Sequence, residues 1–398
     1  MVGLPRMAPG NRIALSWEAS VKRVVVSVAV VICTVVFGAA SAGATASGTW
    51  RSQHVPRPPG HIGYLNSVSC WSAGSCIAVG TSFNNGVQYT MAEHWDRSGW
   101  TLQSTPSLGG PVATLTSVSC TSATNCMAIG GYTGAGTSGP HSLAEHWNGA
   151  AWAVQSIPEP AGGTELGLDS VSCGSPTSCT AVGAYASSGS PVLVAAHWDG
   201  TNWTLQRMPF VRFALGAPSS VSCPTARSCV AVGSYNDSKL FAERWNGSRW
   251  AFQEIPTPAG QYFQLNSVSC AQPQNCLAVG GAFNGPQPVG SIVARATATG
   301  WVLEKDAAPA QTVLLGVSCA SDRSCTAVGE NAADPVLFHT GVAESWNGTS
   351  WAMQALPVPQ PDTRGASLSG ASCATATACT AVGVYGHPGD RPLADRKG

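Results

Sequence analysis

Past residue 47 the chain is written in apolar runs of five to seven residues, rich in Val, Ile, Thr and aromatic side chains and cut by Gly, Asn, Ser and Pro. Runs of that length and composition predict strands, and no helical periodicity competes with them. Four such segments recur in a fixed order. The first ends on a cysteine, as in LNSVSC (65–70) and LTSVSC (115–120), and the second opens on one, as in CIAVG (76–80), CMAIG, CTAVG, CVAVG and CLAVG. The third is MAEHW (91–95), LAEHW, FAERW or VAESW. The fourth is WTLQSTP (100–106), WAVQSIP, WTLQRMP, WAFQEIP or WAMQALP.

Aligned on cysteine, the units are marked by Cys70/Cys76, Cys120/Cys126, Cys173/Cys179, Cys223/Cys229, Cys270/Cys276, Cys319/Cys325 and Cys373/Cys379, with steps of 47 to 54 residues. A period near 50 repeated seven times predicts a solenoid or a propeller, and four antiparallel strands per unit make a propeller blade. The two ends decide between them. WRSQHVP (50–56) is a fourth segment with no first three before it, while the last unit supplies three segments and stops at Leu393-Ala394-Asp395. Joined, they complete one blade. The prediction is an all-β, seven-bladed β-propeller of four antiparallel strands per blade, closed by its N-terminal strand. The pattern resembles the kelch and WD-type propeller class over residues 47–398. The likeness is architectural, because the kelch double glycine and the Trp-Asp dipeptide at a strand end are not reproduced as such.

The segment before the repeats has its own pattern. Arg6, Arg12, Lys22 and Arg23 precede an apolar run from Val24, and Ala44-Thr45-Ala46 closes it. This predicts a secretory signal peptide over residues 1–46, cut after Ala46, with 47–398 as the propeller. An uncleaved anchor is the alternative, since the 23 residues from Val24 to Ala46 could just span a bilayer. Of 15 cysteines, Cys33 lies in this segment, and the 14 that remain present themselves as a disulfide framework in an oxidising compartment, extracellular or at the cell envelope. Charged residues are 10 % of the chain with no net charge, so nothing steers it to nucleic acid or anionic lipid. The expected state is a monomer without a cofactor.

Each C-x5-C pair is expected to flank a five-residue hairpin loop and form a disulfide; zinc is the rival, but it wants about four convergent ligands and these pairs lack a second pair or nearby histidines. HWNGAAW, HWDGTNW, RWNGSRW, SWNGTSW and the variant HWDRSGW join the third and fourth strands, with glycine supplying positive φ. These turns resemble the Asp-box hairpins of sialidase-like propellers, except that there a residue separates the acid from the glycine. In that family the box is structural, so the resemblance implies no sialidase chemistry. Glu93, Glu145, Glu243 and Glu344 recur in the third strand, with Ala196, Arg295 and Asp395 in the other blades. Acids spread round a ring cannot converge on one substrate, so they are expected to hydrogen-bond backbone or a neighbouring blade. His94, His146 and His197 repeat likewise and read as packing or rim residues.

Recognition is expected where the repeats differ. The loops joining strands two to three and four to one share one face and vary from SFNNGVQY to ENAADPVLFHTG, whereas the other face carries the uniform cysteine and tryptophan turns. Phe83, Tyr132, Tyr185, Tyr235, Phe283 and Tyr385 follow the glycine of AVG and place an aromatic at that face in six blades; they suit stacking on sugars or gripping a peptide, or simply inter-blade packing. Phe210, Arg212 and Phe213 in MPFVRFALGAP have no counterparts elsewhere. The function this supports is a secreted, non-catalytic binding or scaffold propeller that recognises glycan or an extracellular protein through the variable face. The alternative is an extracellular glycoside hydrolase or lyase at the central depression, for which Asp237, Glu330, Asp334, Asp362, Asp390, Glu159, Glu165 and Asp169 are unrepeated acids. No spacing selects a catalytic pair among them.

Overall fold

The computed structural model describes residues 48–398 apart from 135–139, 188–189, 210–215, 237–238, 334–338, 358–364 and 387–390. Seven four-stranded antiparallel sheets follow one another along the chain. Six are consecutive. In the seventh, Arg51–Gln53 pairs with Arg391–Lys397, in the register Arg51 to Arg396 and Gln53 to Ala394, and so supplies the fourth strand of blade seven. The first strand of every blade lies against those of both neighbours, and Ala366–Cys373 of blade seven lies against Ile62–Ser72 of blade one, which completes the circle. No helix among the described residues is long and apolar enough to cross a membrane. Residues 1–46, where a signal peptide is expected, lie outside the described residues.

The SVSC phrase explains how the inner strands hold together. Ser67 and Ser69 hydroxyls accept the backbone N–H groups of Val118 and Cys120 in the next blade, at 3.2 and 2.9 Å. The same two bonds recur from Ser117 and Ser119, Ser170 and Ser172, Ser220 and Ser222, and Ser267 and Ser269. In blades six and seven glycine replaces the first serine, as Gly316 and Gly370, and one bond remains at each junction, from Ser318 to Cys373 and from Ser372 to Cys70. Strand edges that would otherwise be bare are thereby satisfied by side chains.

The seven disulfides form as spaced in the sequence: Cys70–Cys76, Cys120–Cys126, Cys173–Cys179, Cys223–Cys229, Cys270–Cys276, Cys319–Cys325 and Cys373–Cys379. One part of the expectation about them is corrected. The loop is shorter than five residues in blade one: the strands run on past the cysteines to a Ser72–Ser75 pair, with Trp71 bulged out and Ala73-Gly74 as the turn. Only blade seven has its strands end at the cysteines, Cys373 and Cys379. The second cysteine of each pair, Cys76, Cys126, Cys179, Cys229, Cys276, Cys325 or Cys379, is at most 2 % exposed. The reason is its place on the second strand, an interior strand of the sheet, on the side that meets the preceding blade. Cys76 packs there with Val382 and Ala394 of blade seven, Cys126 with Ile77 and Val79, and Cys179 with Met127 and Ile129. Cys229 packs with Val182 and Leu193, Cys276 with Val230 and Val232, and Cys325 with Leu277 and Val279. These cysteines are core residues, out of reach of any ligand. A bridge over so short a loop contributes roughly 2 kcal/mol.

The glycine of AVG answers to a close approach. A Cβ on Gly80 or Gly280 would stand 2.0 or 1.9 Å from the carbonyl oxygen of Tyr64 or Gln264, where the first strand bulges toward the second. Cores lie between blades rather than within them. Ile77, Val79 and Ala92 of blade one pack with Leu115, Leu143 and Trp152 of blade two, and Trp50 of the latch packs with Val328 and Ala343 of blade six. The fourth-strand tryptophans are buried, and Trp152, Trp250 and Trp301 donate their indole N–H to Gln103, Gln206 and Gln253 of the preceding blade.

Two expectations about the third strand are also corrected. Register aligns Ala294, not Arg295, with Glu93, because Ala278 faces Ala294 as Ala78 faces Glu93. Arg295 shares the position of His94 and lies 4.4 Å from the Trp346 ring of the next blade. The second concerns the acids. Glu93, Glu145 and Glu243 are fully buried between their own blade and the preceding one, yet neither carboxyl oxygen has a protein hydrogen-bond partner. Glu344 does have one, the N–H of Ala307 at 3.0 Å. Counting from the buried tryptophan, Ala307 stands where the blades before the other three carry Pro56, Pro106 and Pro209, which have no N–H to offer.

Candidate functional site

The variable loops leave the ends of the second and fourth strands and the starts of the first and third, all on one face of the ring. Of the aromatics predicted there, Phe83 is half-buried with Tyr64 5.5 Å from its ring, and Tyr132 has His141 at 5.6 Å. Tyr185 is half-buried against the core between blades two and three. Tyr235 belongs to the core, edge-on to Phe241 and Phe252. Phe283 is half-buried beside its cross-strand partner Tyr262, which is 50 % exposed. Tyr385 is half-buried and lines a surface cavity. Phe210, Arg212 and Phe213 lie outside the described residues, as do Asp237, Asp334, Asp362 and Asp390.

Three features of this face were not singled out in the sequence. On blade one, the His61 ring lies tilted 5.4 Å from that of Tyr89, a residue 44 % exposed, and its ring nitrogens meet Ser82 and Asn84 at 3.3 and 3.2 Å. The chain leaving the N-terminal strand and the hairpin of blade seven border a cavity of ≈ 400 Å³ lined by His54, Pro56, Arg57, Tyr385, Arg391 and Pro392. Part of the signal was present in the sequence: His54 and Arg57 have no like residue at the same place in the other blades, whereas Pro56 and Tyr385 belong to repeated positions. At the ring's inner wall, the bulged residues of the first strands bond across to the next blade, Asn66 to the Leu115 carbonyl, Thr116 to that of Asp169 and Asn266 to that of Leu314.

Electrostatics separate the structural acids from the surface ones. With no hydrogen bond to offset desolvation, burial pushes Glu93, Glu145 and Glu243 up to about 8, so they are neutral in the core at pH 7. Asp395 rises only to about 6, because the Ser52 hydroxyl donates to it at 2.7 Å. Asp169, on the inner strand of blade three, is pushed up to about 6 by the surrounding protein. Two other unrepeated acids sit with histidines, Glu330 at 2.6 Å from His339 and Glu159 at 3.5 Å from His141.

No protein-family model matches the chain, and neither does any curated protein. Solved structures do. YCF48 bound to a D1 peptide superposes with a TM-score of 0.51 at 11 % identity, covering 87 % of this chain and 96 % of that one. The WD40 β-propeller domain of Doa1 gives 0.52 at 10 %, covering 88 % and 97 %. The GH74 xyloglucanase from Xanthomonas campestris gives 0.52 at 12 %, covering 87 % of this chain and 55 % of that one. At such identities the likeness shows the fold alone: a seven-bladed propeller.

Proposed function

We propose that the protein is an exported, non-catalytic binding propeller that recognises an extended polymer, glycan or peptide, across its variable-loop face. One observation carries this reading. The residues that repeat from blade to blade, cysteine, serine, tryptophan and the seam glutamates, are consumed in bonds and packing between blades, whereas Tyr89, Tyr262 and Ile62, which differ between blades, are the ones exposed on the variable face. Export through a cleaved signal peptide at residues 1–46 accords with seven disulfides. The structurally similar YCF48, described as bound to a peptide, supports a ligand of that shape.

The test uses the full mature chain, immobilised, against cell-wall polysaccharide and secreted-protein fractions. Retention should fall at least tenfold in a variant carrying Ile62→Ser and Tyr89→Ala. It should be unchanged in a control with Val154→Ser and Met353→Ser on the outer strands. Retention lost only in the outer-strand control, or found with no fraction at all, overturns the reading.

A further inference from the structure

Charge is sorted by face, which the zero net charge of the whole chain conceals. After residue 46 there are 16 lysines and arginines and 19 aspartates and glutamates. Nine of the cations lie in the uniform cysteine and tryptophan turns or at the strand ends that meet them, against four acids, Asp96, Asp199, Asp322 and the Glu304 held by Arg295. Five more acids, Glu93, Glu145, Glu243, Glu344 and Asp395, are buried in the seams. Seven cations and ten acids are left for the rest of the ring, the variable segments outside the described residues included. Of the nine, Arg51, Arg227, Arg249 and Arg323 are exposed, and their side chains have no hydrogen bond or ion pair among the described residues. The other five are engaged: Arg97 lies over Gly74, Arg244 donates to the Pro273 carbonyl, Arg295 pairs with Glu304, Arg396 donates to the Ala73 carbonyl and Lys397 to Thr326. Held internally, they still add to the positive field of that face.

We propose that the uniform face docks on a bilayer containing anionic phospholipid and so turns the variable face outward. The inference does not rest on the binding reading above, which concerns the opposite face. The four free arginines belong to blades four, six and seven, so they do not converge on one small anion, whereas a negatively charged plane meets them all. Half-buried indoles stand at the same level. Trp95, Trp147, Trp245 and Trp346 each pair in register with the second cysteine of their blade, at the end of the third strand. Trp71, in the cysteine hairpin of blade one, is half-buried and stacked 5.9 Å from His94. Indoles favour the headgroup level of a bilayer, where the ring is in apolar surroundings and the N–H is wet. The chain also enters the ring on this side, at Gly48 beside Gly398, directly after the apolar run that closes at Ala46. An apolar segment joined at this side favours a bilayer over a soluble acidic polymer.

Sedimentation of the mature chain, residues 47–398, with vesicles tests this. Without the apolar run only the ring can bind, and its terminal amine and carboxylate add one charge of each sign. It should partition at least tenfold more into vesicles of equal parts phosphatidylcholine and phosphatidylglycerol than into phosphatidylcholine alone, and less as salt rises. Brominated acyl chains in the anionic vesicles should quench part of the tryptophan fluorescence. Arg249→Glu/Arg323→Glu should lower partition at least tenfold and Arg249→Lys/Arg323→Lys much less, with the circular dichroism spectrum of the wild type. Arg207 and Lys239 are exposed at strand ends on the variable face, and Arg207→Glu/Lys239→Glu, the same change of charge there, should leave partition within twofold of wild type. Equal partition into neutral and anionic vesicles, equal loss from the two charge reversals, binding without quenching, or binding of poly-glutamate but of no vesicle overturns the proposal. Retention through Ile62 and Tyr89 is read on the other face, so the two proposals fail separately.

Discussion

A buried carboxyl such as Glu93 has a direct thermodynamic consequence. In the fold Glu93, Glu145 and Glu243 titrate near 8, and in the unfolded chain near the ordinary 4.5. Between those values the native state holds more protons than the unfolded one, so the free energy of unfolding falls as pH rises, by up to about 5 kcal/mol per carboxyl. His146 and His197, whose pKa values burial lowers, act in the opposite sense, but only below their unfolded value of 6.5. The glutamate effect therefore stands clear between pH 6.5 and 8.5. Urea midpoints should drop across that range, and a Glu93→Gln/Glu145→Gln/Glu243→Gln variant should flatten the profile; a wild-type midpoint that holds or climbs contradicts the assignment. Glu344, with its Ala307 N–H bond, rises only to about 7 and contributes over a narrower window.

At the scale of an element, the tryptophan turn shows how one repeated phrase distributes its work. In blade two Asn148 Oδ1 accepts the N–H groups of Ala150 and Ala151, at 2.9 and 3.0 Å, while Gly149 takes φ 95°. Asp199, Asn246 and Asn347 repeat this anchoring over Gly200, Gly247 and Gly348. Blade one reads Asp96-Arg97 instead, and Arg97 is held at φ 79°. A non-glycine residue pays about 1–2 kcal/mol for that conformation. Arg97→Gly should therefore raise stability by about 1 kcal/mol, visible as a higher melting temperature with unchanged ligand retention. A fall in stability would mean that the arginine packing against Gly74 outweighs the strain.

For the whole molecule the decisive element is the three-residue latch. Trp50, the residue before it, is buried between blades six and seven, with the Lys397 ammonium 5.2 Å from the ring. Trp50→Ala should cost about 3–5 kcal/mol, as for any large buried aromatic. Deleting residues 48–53 should do more, because it bares the backbone edge of Arg391–Lys397 and removes the Ser52 bond to Asp395. Size-exclusion chromatography of the deletion variant should show species larger than the wild type's, and chemical unfolding should become less cooperative than the wild type's. A deletion that elutes as the wild type does, with the wild-type midpoint, would show that the ring does not depend on closure.

Period, strand count, the cystine pairs and the split seventh blade were all legible in the sequence, because each is a local pattern repeated often enough to be recognised and the split phrase can be joined in only one way. What escaped was whatever depends on which face of a strand meets the neighbouring blade. The spacing of Cys70 and Cys76 announces a bridge, but that Cys76 is core and packs on Val382 of another blade follows only from the closed ring. The serine hydroxyls of SVSC look like ordinary strand residues until the inner strands stand side by side. The missing partners of the seam glutamates follow from prolines about forty residues upstream. Arg295 was placed one residue out, since register is set by pairing with Leu277 and not by counting letters. The cavity of Arg57, Tyr385 and Arg391 draws on segments more than 300 residues apart, and only the closed ring brings them to one place.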